Sequence, residues 1–172
     1  MSDIHTGLTE SVTTTLGYLI RKSKEGKTQI LLGEHYKQKK LNGFGGKVGD
    51  KEEFKNETIE QGLKREAQEE FKITPMNIEK RAVVLFDFIE KNKHILNTCH
   101  VYFINEWQGE ISETIPMHNP TWFDINNMPW EKMWPNDRVW LEQLLTHKGF
   151  LDVEYKFETD EGTAKEVRKE WK

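Results

Sequence analysis

The chain has 172 residues, 35% hydrophobic and 31% charged, which suits one compact domain spanning 1–172 and leaves no apolar stretch long enough to cross a bilayer. Its formal net charge of −4 excludes a general attraction to nucleic acid or to an acidic membrane, though not a local basic pocket. A single cysteine, Cys99, cannot form an internal disulfide, and the first ten residues lack a signal peptide's apolar run, so a cytoplasmic monomer is expected.

In chain order, "SVTTTLGYLIR" (11–21) and "TQILLGE" (28–34) have the β-branched and apolar content of strands, with "KSKEGK" as the turn between them. "HYKQKKLN" is a basic loop leading to "LNGFGGKV" (41–48), whose glycines at 43, 45 and 46 suggest a turn or a close backbone approach. From Thr58 to Phe71 the spacing predicts a helix, with Ile59, Leu63, Ala67 and Phe71 on one stripe, and Thr74-Pro75 ends any helical run. "KRAVVLFDFIE" and "NTCHVYFINEW" are predicted strands joined by "KNKHI", and "TWFDI" is a short one. "NNMPWEKMWPND" is a proline-broken loop before a second helix, "RVWLEQLLTHKG", with Val139, Trp140, Leu141 and Leu144 offered to the core. "FLDVEYKFE" alternates as a strand, and the turn-like "TDEG" favours a hairpin partner for it in the tail. Strands, a central helix, more strands and a second helix imply an α+β protein: a mixed sheet between helices, an α/β/α sandwich.

The chemistry concentrates on the first helix. Glu66 and Glu70 are four residues apart and share a face, and Glu69 is adjacent to it. Clustered like charges cost helix stability, and a divalent cation offsets that cost, since carboxylate oxygens are hard ligands suited to Mg2+ or Mn2+. A solvated acidic face is the plain alternative. Arg65 and Glu57 weigh against it, because an arginine fork bridging to Glu57 would fix the preceding loop on the helix. Gly45 and Gly46 then let the backbone approach the carboxylates, the Gly46 carbonyl could join a cation shell, and Lys47 could meet a phosphate oxygen.

Glu57, seven residues, then "REAQEEFKI" (65–73) resembles the Nudix hydrolase signature. The resemblance implies a loop–helix–loop catalytic element in the Nudix fold and hydrolysis of a nucleoside diphosphate linked to another group. It assigns Glu66 and Glu70 as main metal ligands, Glu69 as a further ligand or base, and Mg2+ as cofactor, with Mn2+ an alternative. Two departures are visible. Ten residues separate Gly46 from Glu57 where the family has five, so "GDKEEF" reads as an insertion with Glu52 and Glu53 facing solvent. Lys72 replaces the signature glycine, which predicts a changed helix exit.

Outside the signature, "LNGFGGKV", "LFDF", "HVYF", "TWFDI" and "MPWEKMWPND" resemble the MutT-type branch of that family, which hydrolyses oxidised purine nucleoside triphosphates such as 8-oxo-dGTP or 2-hydroxy-dATP to the monophosphate and pyrophosphate. This resemblance puts the purine against Asn42, Phe86, Trp134, Asn136 and Asp137, with Thr15 on the first strand. Asn136 stands where the branch has an aspartate, and an amide always donates through its NH2, so base preference could narrow. Near Met117 the branch has an acid that this chain lacks, with Glu113 as a misaligned substitute. A tryptophan face stacks a base for roughly 1–3 kcal/mol, although six tryptophans make a core role for Trp134 a serious alternative. A small-molecule nucleotide is the expected partner. Another nucleoside diphosphate derivative, an RNA 5′ end reached through "RKSKEGK" and "HYKQKK", and a nucleotide-sensing domain without catalysis are the other readings. The histidines show no zinc spacing; His94 and His100 fall around a predicted hairpin with surface or strand roles.

Overall fold

The computed structural model describes residues 8–157 and 164–172. The strands are β1 (Glu10–Lys22), β2 (Thr28–His35), β3 (Leu41–Asn42), β4 (Phe44–Lys47), β5 (Thr74–Glu90), β6 (Lys93–Gln108), β7 (Met117–Asp124), β8 (Leu151–Phe157) and β9 (Ala164–Trp171); the helices are α1 (Ile59–Phe71) and α2 (Asp137–Thr146). The sheet runs β3-β2-β1-β6-β5-β8-β9, with β4 added on β1 and β7 on β2. It is mixed: β1 lies parallel to β6 and β5 parallel to β8, while the β1–β4, β5–β6 and β8–β9 ladders are antiparallel. The expected α+β sandwich is present.

Alternation along the strands feeds two cores. Leu16 and Tyr18 of β1, Cys99 and Val101 of β6 and Val84 of β5 pack with Trp140, Leu141 and Leu144 of α2. Leu19 of β1 and Tyr102 and Ile104 of β6 turn the other way, onto Leu63, Ala67 and Phe71 of α1. Side chains two apart on a strand share a face, and those one apart do not, so a single sheet holds both helices. Each fully buried Leu or Phe at these positions contributes about 2–3 kcal/mol.

Helix α1 begins with a capping box. The Thr58 hydroxyl accepts from the Gln61 backbone N–H at 3.1 Å, and the Gln61 side chain accepts from the Thr58 N–H at 2.8 Å. It ends at Lys72, which adopts the left-handed conformation (φ 59°) itself. The helix exit is therefore the one glycine would give, not the changed exit expected from the sequence; the lysine carries the strain instead.

Four more expectations need correction or placing. Of the two readings of the glycines at 43, 45 and 46, the close approach holds and the turn does not: among the described residues the positive-φ glycines are Gly26, Gly49 and Gly109, whereas Gly45 and Gly46 lie extended in β4. The β5–β6 connection is shorter than "KNKHI". It is the two-residue turn Lys91–Asn92, both with positive φ as a primed hairpin turn requires, so His94 already lies in β6 on the same strand as His100. Val139 is 43% exposed and does not join the core, which Trp140, Leu141 and Leu144 fill. The tail is a hairpin, β8 antiparallel to β9, while the "TDEG" turn (159–162) lies outside the described residues.

Candidate active site

The acidic helix and the glycine strand meet as a built unit. Strand β4 pairs so tightly with β1 that a Cβ on Gly45 would lie 2.0 Å from the Thr15 carbonyl oxygen. A Cβ on Gly46 would lie 2.4 Å from Glu66 Oε1. The glycines thus serve close approach, with the Glu66 carboxyl seated on bare backbone. The Gly45 N–H donates to Glu70 Oε1 at 2.9 Å.

Arg65 organises the rest. Its Nε and Nη2 donate to the two oxygens of Glu57 at 3.0 and 2.8 Å, the bidentate fork expected from the sequence. Nη2 also donates to the Lys47 carbonyl at 3.1 Å, and Nη1 to Glu66 Oε1 at 3.1 Å and to Glu69 at 3.3 Å. Glu57 accepts in addition from the Gly49 N–H at 3.1 Å. The fork is shielded, with the Arg65 and Glu57 side chains 17% and 9% exposed. The Arg65 hydrogen bond holds the Glu57 carboxyl below its ordinary range, against the opposing effect of burial.

Burial raises the two inward carboxyls. Glu66 is pushed up to about 6 despite the neighbouring Arg65 charge. Glu70 is pushed up to about 8 despite the Gly45 N–H, and the nearby Glu66 raises it further. Two carboxyls that resist ionising side by side are suited to a divalent cation, which would replace the proton. Glu69 is half exposed and tied to Arg65, and Glu52 and Glu53 face solvent as expected. Among the described residues no group of three or more His, Cys, Asp and Glu is drawn into a ready metal cage. The inward oxygens of Glu66 and Glu70, beside the bare Gly46 backbone, are the donors that fit a hard cation. The Lys47 side chain is exposed and does not line the cleft described next.

From Gly45, Gly46 and Glu70 a cleft of about 1500 Å3 runs across the sheet. It is lined by Thr15, Asn42, Phe86, Trp134, Asn136 and Asp137, so the structure brings together every base-contacting residue expected from the sequence. Trp134 is 41% exposed, which places it at the rim and settles the question of a core role. Phe86 stacks on Tyr155 with ring centroids 6.4 Å apart. Asn42 Oδ1 accepts from the Tyr18 hydroxyl at 3.0 Å and from the Gly43 N–H at 2.9 Å. Both partners are donors, so the amide orientation is fixed and the Asn42 NH2 is what remains for a ligand. Asp137 is buried, its Oδ2 has no hydrogen-bond partner, and burial pushes its carboxyl up to about 7. Thr15 Oγ1 is likewise buried without a partner. Asn136 precedes α2 and makes no side-chain cap, which leaves its amide to the cleft.

The cleft also contains residues that the sequence reading missed. Phe88 lies two after Phe86 on the same strand face, a placement that period-2 alternation could have given. Asn97 faces Phe86 across the hairpin and accepts from the Thr14 hydroxyl at 2.9 Å; finding it required the register set by the two-residue turn. Cys99 is the buried thiol expected, yet it borders the cleft, and burial pushes it up to about 12, so it stays neutral. Met117 lines the cleft where the family branch has an acid nearby, and Glu113 is occupied in accepting from the Asn119 N–H at 3.0 Å. His94 and His100 do not form a pair: His94 contacts Asp87 at 2.6 Å.

Comparison with known proteins agrees with this geometry. The NUDIX domain family model matches residues 14–144. The oxidized purine nucleoside triphosphate hydrolase of Danio rerio is 37% identical over 119 residues, covering 69% of this chain and 70% of that protein. Its Mus musculus counterpart is 34% identical over 109 residues, covering 63% of this chain and 65% of that protein. Among solved structures, the MutT protein from Bacillus halodurans superposes with a TM-score of 0.70 at 18% identity, over 93% of this chain and 97% of that one. An Ap4A hydrolase from C. elegans in a binary complex gives 0.56 at 19% identity, over 78% and 93%. These structural likenesses carry the fold. The family match spans α1, the glycine strand and all of the cleft lining except Phe157, and the chain belongs to the NUDIX domain family.

Proposed function

We propose that the chain, as one domain, hydrolyses oxidised purine nucleoside triphosphates, with 8-oxo-dGTP and 2-hydroxy-dATP as the leading substrates, to the nucleoside monophosphate and pyrophosphate. It acts as a phosphoanhydride hydrolase. The observation that carries the reading is the arrangement of one cleft: the Glu70 carboxyl at one end, with the Glu66 carboxyl seated against Gly46 of its wall, and Trp134, Asn42, Asn136 and Asp137 further along the same lining. Similarity to purine nucleoside triphosphate hydrolases supports the substrate class.

Mechanism follows from the side chains. The Trp134 face stacks the base, the Asn42 NH2 donates to an acceptor on the purine edge, and Asp137 donates when protonated or accepts when ionised. Phe86 lines the same cleft and adds a second aromatic surface. Glu66 and Glu70, with the Gly46 carbonyl, would hold Mg2+ or Mn2+, which supplies charge neutralisation and a lowered cost of forming hydroxide. Arg65 keeps Glu66 in place and Glu57 keeps Arg65 in place. Lys47, exposed at the end of β4 and outside the cleft lining, would reach an outer phosphate only by swinging its side chain inward. Glu69 is free to exchange its contact with Arg65 for a second cation or for the water proton.

The test is a magnesium-dependent comparison of 8-oxo-dGTP, 2-hydroxy-dATP, dGTP, dATP and 5′-triphosphorylated RNA, with products identified. Preference for the oxidised nucleotides with release of pyrophosphate is expected. Equal or better turnover of the RNA would overturn the substrate class in favour of RNA 5′ ends. That second reading has one feature in its favour: His35 at the end of β2 and Gln38 of the loop after it line the cleft, and Lys40 Nζ lies 5.7 Å over the Trp134 ring.

A further inference from the structure

The ten residues between Gly46 and Glu57 form a strap over the catalytic helix. Gly49 turns the chain at φ 67° and points its N–H at Glu57. A 3-10 turn over Glu52–Phe54 follows, closed back onto the helix start by the Glu57 N–H donating to the Phe54 carbonyl at 2.9 Å. This path lays the Phe54 ring over Arg65, with the guanidinium carbon 4.2 Å from the ring centroid.

The placement has a chemical reason. The N–H groups of Arg65 point in the plane of the guanidinium, toward Glu57, Glu66, Glu69 and the Lys47 carbonyl. Its two flat faces are all that remain, and a flat face attracts an aromatic ring more than an aliphatic chain. Phe54 covers one face of a fork that is otherwise nearly closed. With that face covered, the guanidinium cannot tilt out to water, and its hydrogen bond to Glu66 Oε1 keeps one direction.

We propose that Phe54 is a positioning residue: its ring clamps Arg65 and, through Arg65, fixes the Glu66 carboxylate for phosphate cleavage. The insertion that departs from the family spacing is thereby part of the catalytic apparatus. The catalytic half of this proposal rests on the hydrolase reading above.

The experiment compares wild type with Phe54→Leu and Phe54→Tyr. Leucine keeps the bulk of this half-buried side chain and removes the ring, and tyrosine keeps the ring. For Phe54→Leu a fall in kcat of roughly five- to tenfold with KM within about twofold is expected, at an unchanged melting temperature. Phe54→Tyr should restore kcat to within about twofold of wild type. A second measurement needs neither substrate nor metal. The Arg65 Nε–H resonance in a 15N-resolved spectrum should carry the ring-current shift in wild type and Phe54→Tyr and lose it in Phe54→Leu. Wild-type kcat in Phe54→Leu, an equal loss in both variants, or an Arg65 resonance indifferent to the ring would each overturn the proposal. Absence of turnover in the wild type defeats the hydrolase reading and, with it, the catalytic half of this one; the resonance alone then decides whether Phe54 holds the guanidinium.

Discussion

Single side chains in the cleft are set by what already occupies their other atoms. Asn42 has spent its oxygen on Tyr18 and Gly43, so it can only donate. Asp137 has the opposite character: buried, unpartnered at Oδ2 and pushed up to about 7. The sign follows from linkage. Between the ordinary aspartate value and 7, the folded state holds a proton that the unfolded state has lost, so this group destabilises the fold as pH rises through that window. The positive end of α2 offsets part of the cost. Asp137→Asn should therefore unfold in urea with about 1–3 kcal/mol more stability than wild type at pH 8, and with no advantage at pH 4. A constant difference at both pH values would assign the effect to packing. At Glu70, Glu70→Gln keeps an oxygen for the Gly45 N–H and removes the charge that a cation needs. The fold should be retained and turnover should drop by roughly 100-fold or more, about 3 kcal/mol in the barrier. Added Mg2+ should raise the melting temperature of wild type and not of this variant.

Secondary-structure elements were legible where periodicity writes them into neighbouring residues. Helix α1 is an example: its stripe of Leu63, Ala67 and Phe71 is buried. Thr58 with Gln61 closes its start. Removing the cap hydroxyl, Thr58→Ala, should cost about 1 kcal/mol in denaturant midpoint measurements. The end of the helix gives the reverse prediction. Lys72 holds φ 59°, so Lys72→Gly should stabilise by roughly 0.5–1 kcal/mol with turnover unchanged. What escaped the sequence were features set by distant partners. The β4 glycines were legible as a close approach to the helix carboxylates but not as a strand, because the Thr15 carbonyl that excludes a Cβ lies about thirty residues earlier. Val139 looks like core because an apolar residue beside Trp140 fits a helical stripe, yet it is 43% exposed and lines the open cleft. Phe54 gave no signal at all, since its partner Arg65 belongs to a different element.

At the scale of the whole molecule, the cleft exists because both cores share one sheet. Residues directed to α2 build its aromatic walls, and the strand β4, leaning on α1, closes its carboxylate end. Among the described residues no helix is long and apolar enough to cross a membrane. The joint between the two halves tolerates no extra atom: Gly45→Ala would drive a methyl to within 2.0 Å of backbone oxygen. The expected outcome is loss of several kcal/mol, more than the roughly 3 kcal/mol of an ordinary core truncation, read as failure to refold or a collapsed melting temperature.

Strand β1 is paired to β6 over Glu10–Leu19 and, on its other flank, to β4 at Thr14–Gly17 and to β2 at Ile20–Lys22, so its middle, Thr14–Gly17, has a neighbour on each side. Its backbone amides are locked from both directions, so deuterium should reach the middle of this strand last, only when the entire molecule opens. Any breathing that admits a ligand must then come from the loop before Asn42 or the tip of the β5–β6 ribbon, with the central strand acting as the fixed keel against which they move.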